Sequence, residues 1–424
     1  MHPLLRDIKE FFFPPPVTPT LALTLSGGGA RSAFQAGVLR YISEAFPGVY
    51  FPVLTGISAG AINTAQIANH VGPLNEAATR LEASWRDLDV EDVFEVESGL
   101  SILWGLLWNQ RDEPDSTPVR PEDIRRQHGL LDTTPLWYFL SEKLGANDGV
   151  LDGVGQNLRR GRLRAAAVIT TNYTTGQTVT WVEGEDFDVW ERPNRISIHT
   201  ELTVDHVMAS TALPLVFPAV NIGDSWYGDG GIRLSAPLAP AVHLGADRIL
   251  AISNHYSRSR AEADAPSVVG YPPTAQIIGL LMNAIFADTL DQDAFTLERV
   301  NKLVSELPRH RRMGMREIRL LRLRPSVDLA QLAYEYKDQL PASVRFLTSG
   351  LGASETRSPD WMSVLLFLPD YIDRLMDIGY HDARDAHDRL EEFFAGMRGA
   401  GETNVPDQAD TENEQEEQTA PVAE

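Results

Sequence analysis

The stretch LTLSGGGARSAFQAGVLRYI, residues 23–42, changes character at three consecutive glycines. The apolar run Leu21–Leu25 before and into it reads as a strand, and Phe34, Val38, Tyr41, Ile42 and Ala45 after it fall at helical core spacing. Glycine loses the most conformational freedom on ordering, so Gly27, Gly28 and Gly29 weaken a strand and a helix alike. They mark a turn whose backbone must come close to something. A second short strand in PVLTG (52–56) leads into ISAGAINTAQIANHV. Strand–helix–strand–helix order over residues 21–70 points to a parallel sheet covered by helices.

A strand, a glycine turn and a helix N-terminus converge backbone N–H groups on an anion. Two nucleotide-binding versions are excluded by the neighbouring residues. A dinucleotide fingerprint needs glycine where Ser32 stands and an acid about twenty residues on, where the chain reads VYFPVL. A P-loop needs Gly-Lys-Ser/Thr, and none follows. What remains is an oxyanion hole, with the Gly28 and Gly29 amides facing the alkoxide of a tetrahedral intermediate. Arg31 either locks that loop or adds positive charge.

GISAG (56–60) is a Gly-x-Ser-x-Gly pentapeptide between an expected strand and an expected helix. On such an elbow the serine is pushed out of the sheet edge, while Gly56 and Gly60 allow close packing and the helix N-terminus supplies positive potential. The context favours Ser58 as a nucleophile over a serine in an ordinary turn. A serine hydroxyl needs a base. None of the ten histidines lies in a glycine-rich turn at a strand end; His243 falls in an expected helix and His255 opens a polar loop. Asp229 in YGDGGI is the better candidate, since Gly230 and Gly231 free its backbone for a close approach. By itself, though, this aspartate reads as a solvated turn residue.

In this order, SGGGARSAFQAGVL, GISAGAIN, ASTALPLVFPAV and DGGIRLSAP resemble the motifs of the patatin-like phospholipases. The resemblance covers about residues 21–253. It implies a three-layer α/β/α fold with a mainly parallel central sheet and a Ser–Asp dyad, with Ser58 as nucleophile and Asp229 as base. Gly27, Gly28, Gly29 and Arg31 match the family's anion-hole loop. Ser32 stands where the family more often has glycine, and Ser235 where asparagine is frequent. The implied chemistry is acyl transfer from a phospholipid or other fatty-acyl ester, with no cofactor and no metal. A soluble carboxylesterase or thioesterase with the same dyad is the alternative within enzymes; a non-catalytic lipid-binding scaffold is the alternative outside them.

Net charge of −22 argues against nucleic-acid partners, because phosphate affinity rests on Lys and Arg. Zero cysteines exclude disulfides and thiol catalysis. No apolar run reaches the ~18 residues a spanning helix needs, and the N-terminus lacks the pattern of a secretory signal. A cytoplasmic protein with transient contact at a membrane surface is expected. The expected organisation is a lead-in over 1–20, a catalytic domain over 21–253, a mainly helical extension over 254–398 and a disordered acidic tail over 399–424. LSILWGLLW (100–108) is a candidate lid or buried helix, and LLRDIKEFFF (4–13) a second candidate for surface contact. RHRRMGMREIRLLRLR (309–324) carries seven arginines that either meet anionic lipid or pair with the protein's own acids.

Overall fold

The computed structural model describes residues 19–96, 131–185, 187–214, 216–264, 277, 280, 288–339 and 360–396. The segments 4–13 and 100–108 and the acidic tail lie outside these residues. Ten strands form one sheet: β1 (Leu21–Leu25), β2 (Val53–Ile57), β3 (Ala165–Asn172), β4 (Thr178–Gly184), β5 (Glu191–Arg192), β6 (Arg195–His199), β7 (Val220–Ile222), β8 (Ser225–Asp229), β9 (Arg248–Ile252) and β10 (Arg319–Leu323). Their order is β10-β9-β1-β2-β3-β4-β6-β5, with β8 paired to the far end of β3 and β7 to β8. The run from β10 to β3 is parallel throughout. β3 and β4 form an antiparallel hairpin, for which the turn residues Thr174-Thr175-Gly176-Gln177 between two apolar runs are the sequence signal.

β1 reads LALTL and is buried at every position, as a parallel strand covered on both faces must be. Its alternate residues feed two cores. Leu21, Leu23 and Leu25 face a large cluster with α1 (Ala33–Ala45), α2 (Ala59–Asn69), α3 (Leu74–Asp87) and α4 (Val204–Thr211). Ala22 faces a smaller cluster with α5 (Ala239–His243) and α6 (Asp288–Glu306). The three layers follow from that alternation.

The C-terminal region is knitted into this body. β10 extends the sheet past β9, so hydrogen bonding continues beyond residue 253. α7 (Asp360–Leu365) packs on the glycine loop, and α8 (Pro369–Asp385) lies along α1. Gly37 and Gly379 face across the α1–α8 contact: a methyl on either would run into backbone of the other helix.

Most of the arginine-rich segment is internally paired. Arg312 meets Glu317, Arg316 meets Asp247, Arg319 meets Glu392, and Arg322 and Arg324 share Asp291. The parallel sheet also puts the loop before β10 at the strands' N-terminal end, away from the edge that carries Ser26, Ser58 and Asn254.

Candidate active site

β3 brings the candidate nucleophile and base together. β2 runs parallel to it and ends with Ile57 opposite Ile169. β8 arrives from the other direction and ends with Asp229 opposite Thr170. Two strands therefore meet head to head along one edge of β3, at consecutive positions, and Ser58 follows directly from the first.

Ser58 sits at φ 56°, ψ −135°, a left-handed conformation that is uncommon for a residue with a side chain. Such strain costs on the order of 1–3 kcal/mol and persists only where surroundings enforce it. They do so here. The Ser58 N–H donates to Ser210 Oγ at 2.9 Å, and the Ser210 hydroxyl donates to the Ile169 carbonyl at 2.7 Å. A methyl on Gly56 would strike Thr64 and the Gly60 carbonyl, and one on Gly60 would strike the Leu25 and Ser26 carbonyls. Gly60 thus lets α2 begin against the end of β1.

Asp229 is fully buried. Its N–H donates to the Ala212 carbonyl at 3.0 Å, its carbonyl accepts from Thr171 Oγ1 at 2.9 Å, and Oδ1 accepts from the Gly231 N–H at 2.8 Å. Oδ2 is buried with no hydrogen bond of standard geometry. Burial pushes the carboxyl up to about 7, opposed first by the nearby Ser58 hydroxyl and then by the Gly231 amide. A carboxyl poised near neutrality and facing a serine is suited to accept its proton. No described histidine hydrogen-bonds to either residue. His243 stacks on Trp190 with ring centroids 4.8 Å apart, and the His255 N–H donates to Ser253 Oγ.

The glycine loop runs beside the elbow. A methyl on Gly27 would come within 2.7 Å of Ser58 Cβ, and one on Gly28 within 2.9 Å of Asn254 Nδ2. Gly29 has φ 54° and faces the Val364 carbonyl, with no room for a side chain. Arg31 is buried, and its Nε donates to Ser363 Oγ at 2.7 Å. That bond ties the loop to α7, in keeping with a locking role. Ser32 Oγ accepts from Asn254 Nδ2 at 2.8 Å, and the Ser235 hydroxyl accepts from Arg195. Behind the loop, Trp85 Nε1 donates to Asn63 Oδ1, Asn63 Nδ2 to Gln35 Oε1, and Gln35 Nε2 to the Ser26 carbonyl.

From Ser58 and Gly29 opens an apolar pocket walled by Ile62, Leu88, Leu136, Leu213 and Phe217 among others. Ser210, Asn254 and Ser363 are the site neighbours that motif reading passed over. Ser210 alone had a signal, its place in ASTALPLVFPAV. The described residues hold no cluster of metal-ligating side chains and no helix long and apolar enough to cross a membrane.

No curated protein matches the chain. Among solved structures, VipD from Legionella pneumophila aligns over 88% of this chain and 67% of its own, at 13% identity and TM-score 0.38. Human GIVD cytosolic phospholipase A2 aligns over 89% and 60%, at 11% identity and TM-score 0.42. This chain therefore spans about three fifths of the phospholipase chain's length. The ExoU–SpcU complex of Pseudomonas aeruginosa aligns over 90% of this chain and 73% of the other, at 15% identity and TM-score 0.24. The family profile of patatin-like phospholipases matches residues 23–242, a span that takes in the glycine loop, the Ser58 elbow and Asp229. By that match over more than half its length, the chain belongs to the patatin-like phospholipase family.

Proposed function

We propose that the protein hydrolyses fatty-acyl esters through a Ser58–Asp229 dyad and an acyl-enzyme intermediate. The observation that carries this reading is the convergence of β2 and β8 on β3, which sets a buried, upward-shifted carboxyl against a strained serine. The Asp229 carboxylate takes the Ser58 proton as the oxygen adds to the ester carbonyl carbon. The Gly28 and Gly29 amides receive the negative charge that develops on the carbonyl oxygen. Collapse breaks the ester C–O bond, and Asp229 returns the proton to the departing alcohol. Water then attacks the acyl-serine, loses a proton to Asp229 and releases the fatty acid, while Ser58 regains its proton. The Ser58–Asp229 contact need not be tight in the free protein, since such bonds often close only with substrate in place.

The wall of the pocket beside Ser58 favours a long acyl chain over the short chains of a carboxylesterase or thioesterase substrate. The sequence expectation of a cytoplasmic enzyme meeting lipid at a membrane surface belongs to the same reading. The test is incubation of wild type, Ser58→Ala and Asp229→Asn with a mixed lipid extract, followed by mass spectrometry. Free fatty acid should accumulate with wild type alone. Release by folded Ser58→Ala at the wild-type rate would end the proposal.

A further inference from the structure

Asn254 lies just past the end of β9, buried, on the far side of the glycine loop from Ser58. Its Nδ2 is 3.2 Å from the Ser26 carbonyl, 3.1 Å from the Gly27 carbonyl and 2.8 Å from Ser32 Oγ. Two of these partners are carbonyl oxygens, so the amide nitrogen must face the loop. Its backbone N–H donates to Ser26 Oγ at 3.1 Å. One side chain thus grips the loop at both ends of its glycine run.

The consequence follows from peptide planarity. In a trans peptide the C=O and the next residue's N–H point opposite ways. Drawing the Gly27 carbonyl toward Asn254 turns the Gly28 N–H away from it, toward the side where Gly27 meets Ser58. The next unit is set likewise, because the Gly28 carbonyl accepts the Arg31 N–H at 3.2 Å. Among the described residues, neither the Gly28 nor the Gly29 N–H is spent on a hydrogen bond within the protein.

Asn254 Oδ1 is buried without a hydrogen-bond partner. The hydrogen bonds this side chain makes to the described residues therefore all run through Nδ2 to the glycine loop. We propose that Asn254 is a positioning residue that aims the Gly28 and Gly29 amides at the reacting carbonyl oxygen, with Ser32 as its anchor. Ser32 is then part of a strut rather than a defect in the loop. The inference rests on the dyad reading of Ser58 and Asp229.

The test compares wild type, Asn254→Asp, Asn254→Ala and Ser58→Ala. Asn254→Asp keeps the shape but sets an acceptor against two carbonyls. Each purified variant is assayed for kcat and KM on a long-chain ester. Binding is measured for two ligands of equal chain length: a trifluoromethyl ketone, which forms an oxyanion on Ser58, and an unreactive ether. With Ser58→Ala inactive, Asn254→Asp should lower kcat by roughly 10–100-fold with KM changed less than about threefold. Ketone affinity should fall in parallel with kcat, and ether affinity should hold. Asn254→Ala should move the same ratio in the same direction, which keeps the test decisive if the aspartate variant fails to fold. A kcat within about twofold of wild type, or equal loss of ketone and ether binding, overturns the positioning role while leaving the dyad intact. Full activity in Ser58→Ala overturns the dyad, and the role of Asn254 falls with it.

Discussion

Replacing Asp229 with asparagine should abolish activity and stabilise the protein at alkaline pH. In the folded state burial raises this carboxyl from its ordinary value of 3.8 to about 7. A group bound more tightly to its proton when folded contributes stability below the unfolded pKa and loses it as pH rises through the folded one. The window therefore runs from about pH 4 to pH 7. Three units at 1.36 kcal/mol each put the penalty for ionising Asp229 in place at roughly 4 kcal/mol, and some 2–3 kcal/mol of it falls between pH 5 and pH 8. The amide of the Asp229→Asn variant does not titrate and carries no such penalty. Urea unfolding of both proteins from pH 5 to pH 8 isolates it, because Glu183, Asp293 and Asp382, whose carboxyls burial also raises, are common to both. The wild-type curve should fall relative to the variant as pH rises. The wild-type kcat/KM should climb tenfold per unit below about pH 7 and level off above it. Parallel stability curves, together with a rate that levels off near pH 4, would refute the claim that burial tunes this group.

Three further outcomes follow from the packing. Gly60→Ala should lower stability by several kcal/mol or block folding, since its methyl has nowhere to go but the Leu25 and Ser26 carbonyls; expression yield and thermal unfolding measure this. Leu213→Trp should fill the pocket beside Ser58 and cut kcat/KM for long-chain esters about tenfold or more relative to butyrate esters, as chain-length profiling would show. Ser363→Ala should cost about 1–3 kcal/mol by removing the acceptor that the buried Arg31 Nε uses, read from urea midpoints.

Local chemistry was enough to read several elements before any fold was known. The run LALTL, the glycine turn and the spacing of Phe34, Val38 and Tyr41 declare a buried strand, a loop and a helix, and all three are present. GISAG reads as an elbow because it stands between an expected strand and an expected helix, and Ser58 has a strained backbone there. The hairpin through residues 174–177 also follows from its turn residues.

Long-range register decided the rest. Asp229 read alone is a turn aspartate; it comes to lie beside Ser58 because β2 and β8 end at neighbouring positions on β3. Its raised pKa is likewise a property of burial, which no local window contains. Asn254 and Ser363 lie in unremarkable stretches, and Ser210 in a motif that names no role for it; each hydrogen-bonds across more than a hundred residues of chain to a loop or elbow it does not adjoin. In the arginine-rich segment, too, it is the sheet and helices that bring Glu317, Asp247, Glu392 and Asp291 beside five of the seven arginines. Short-range pattern determined which backbone shapes this chain can adopt. Strand order and register, which depend on the whole core at once, determined which side chains meet.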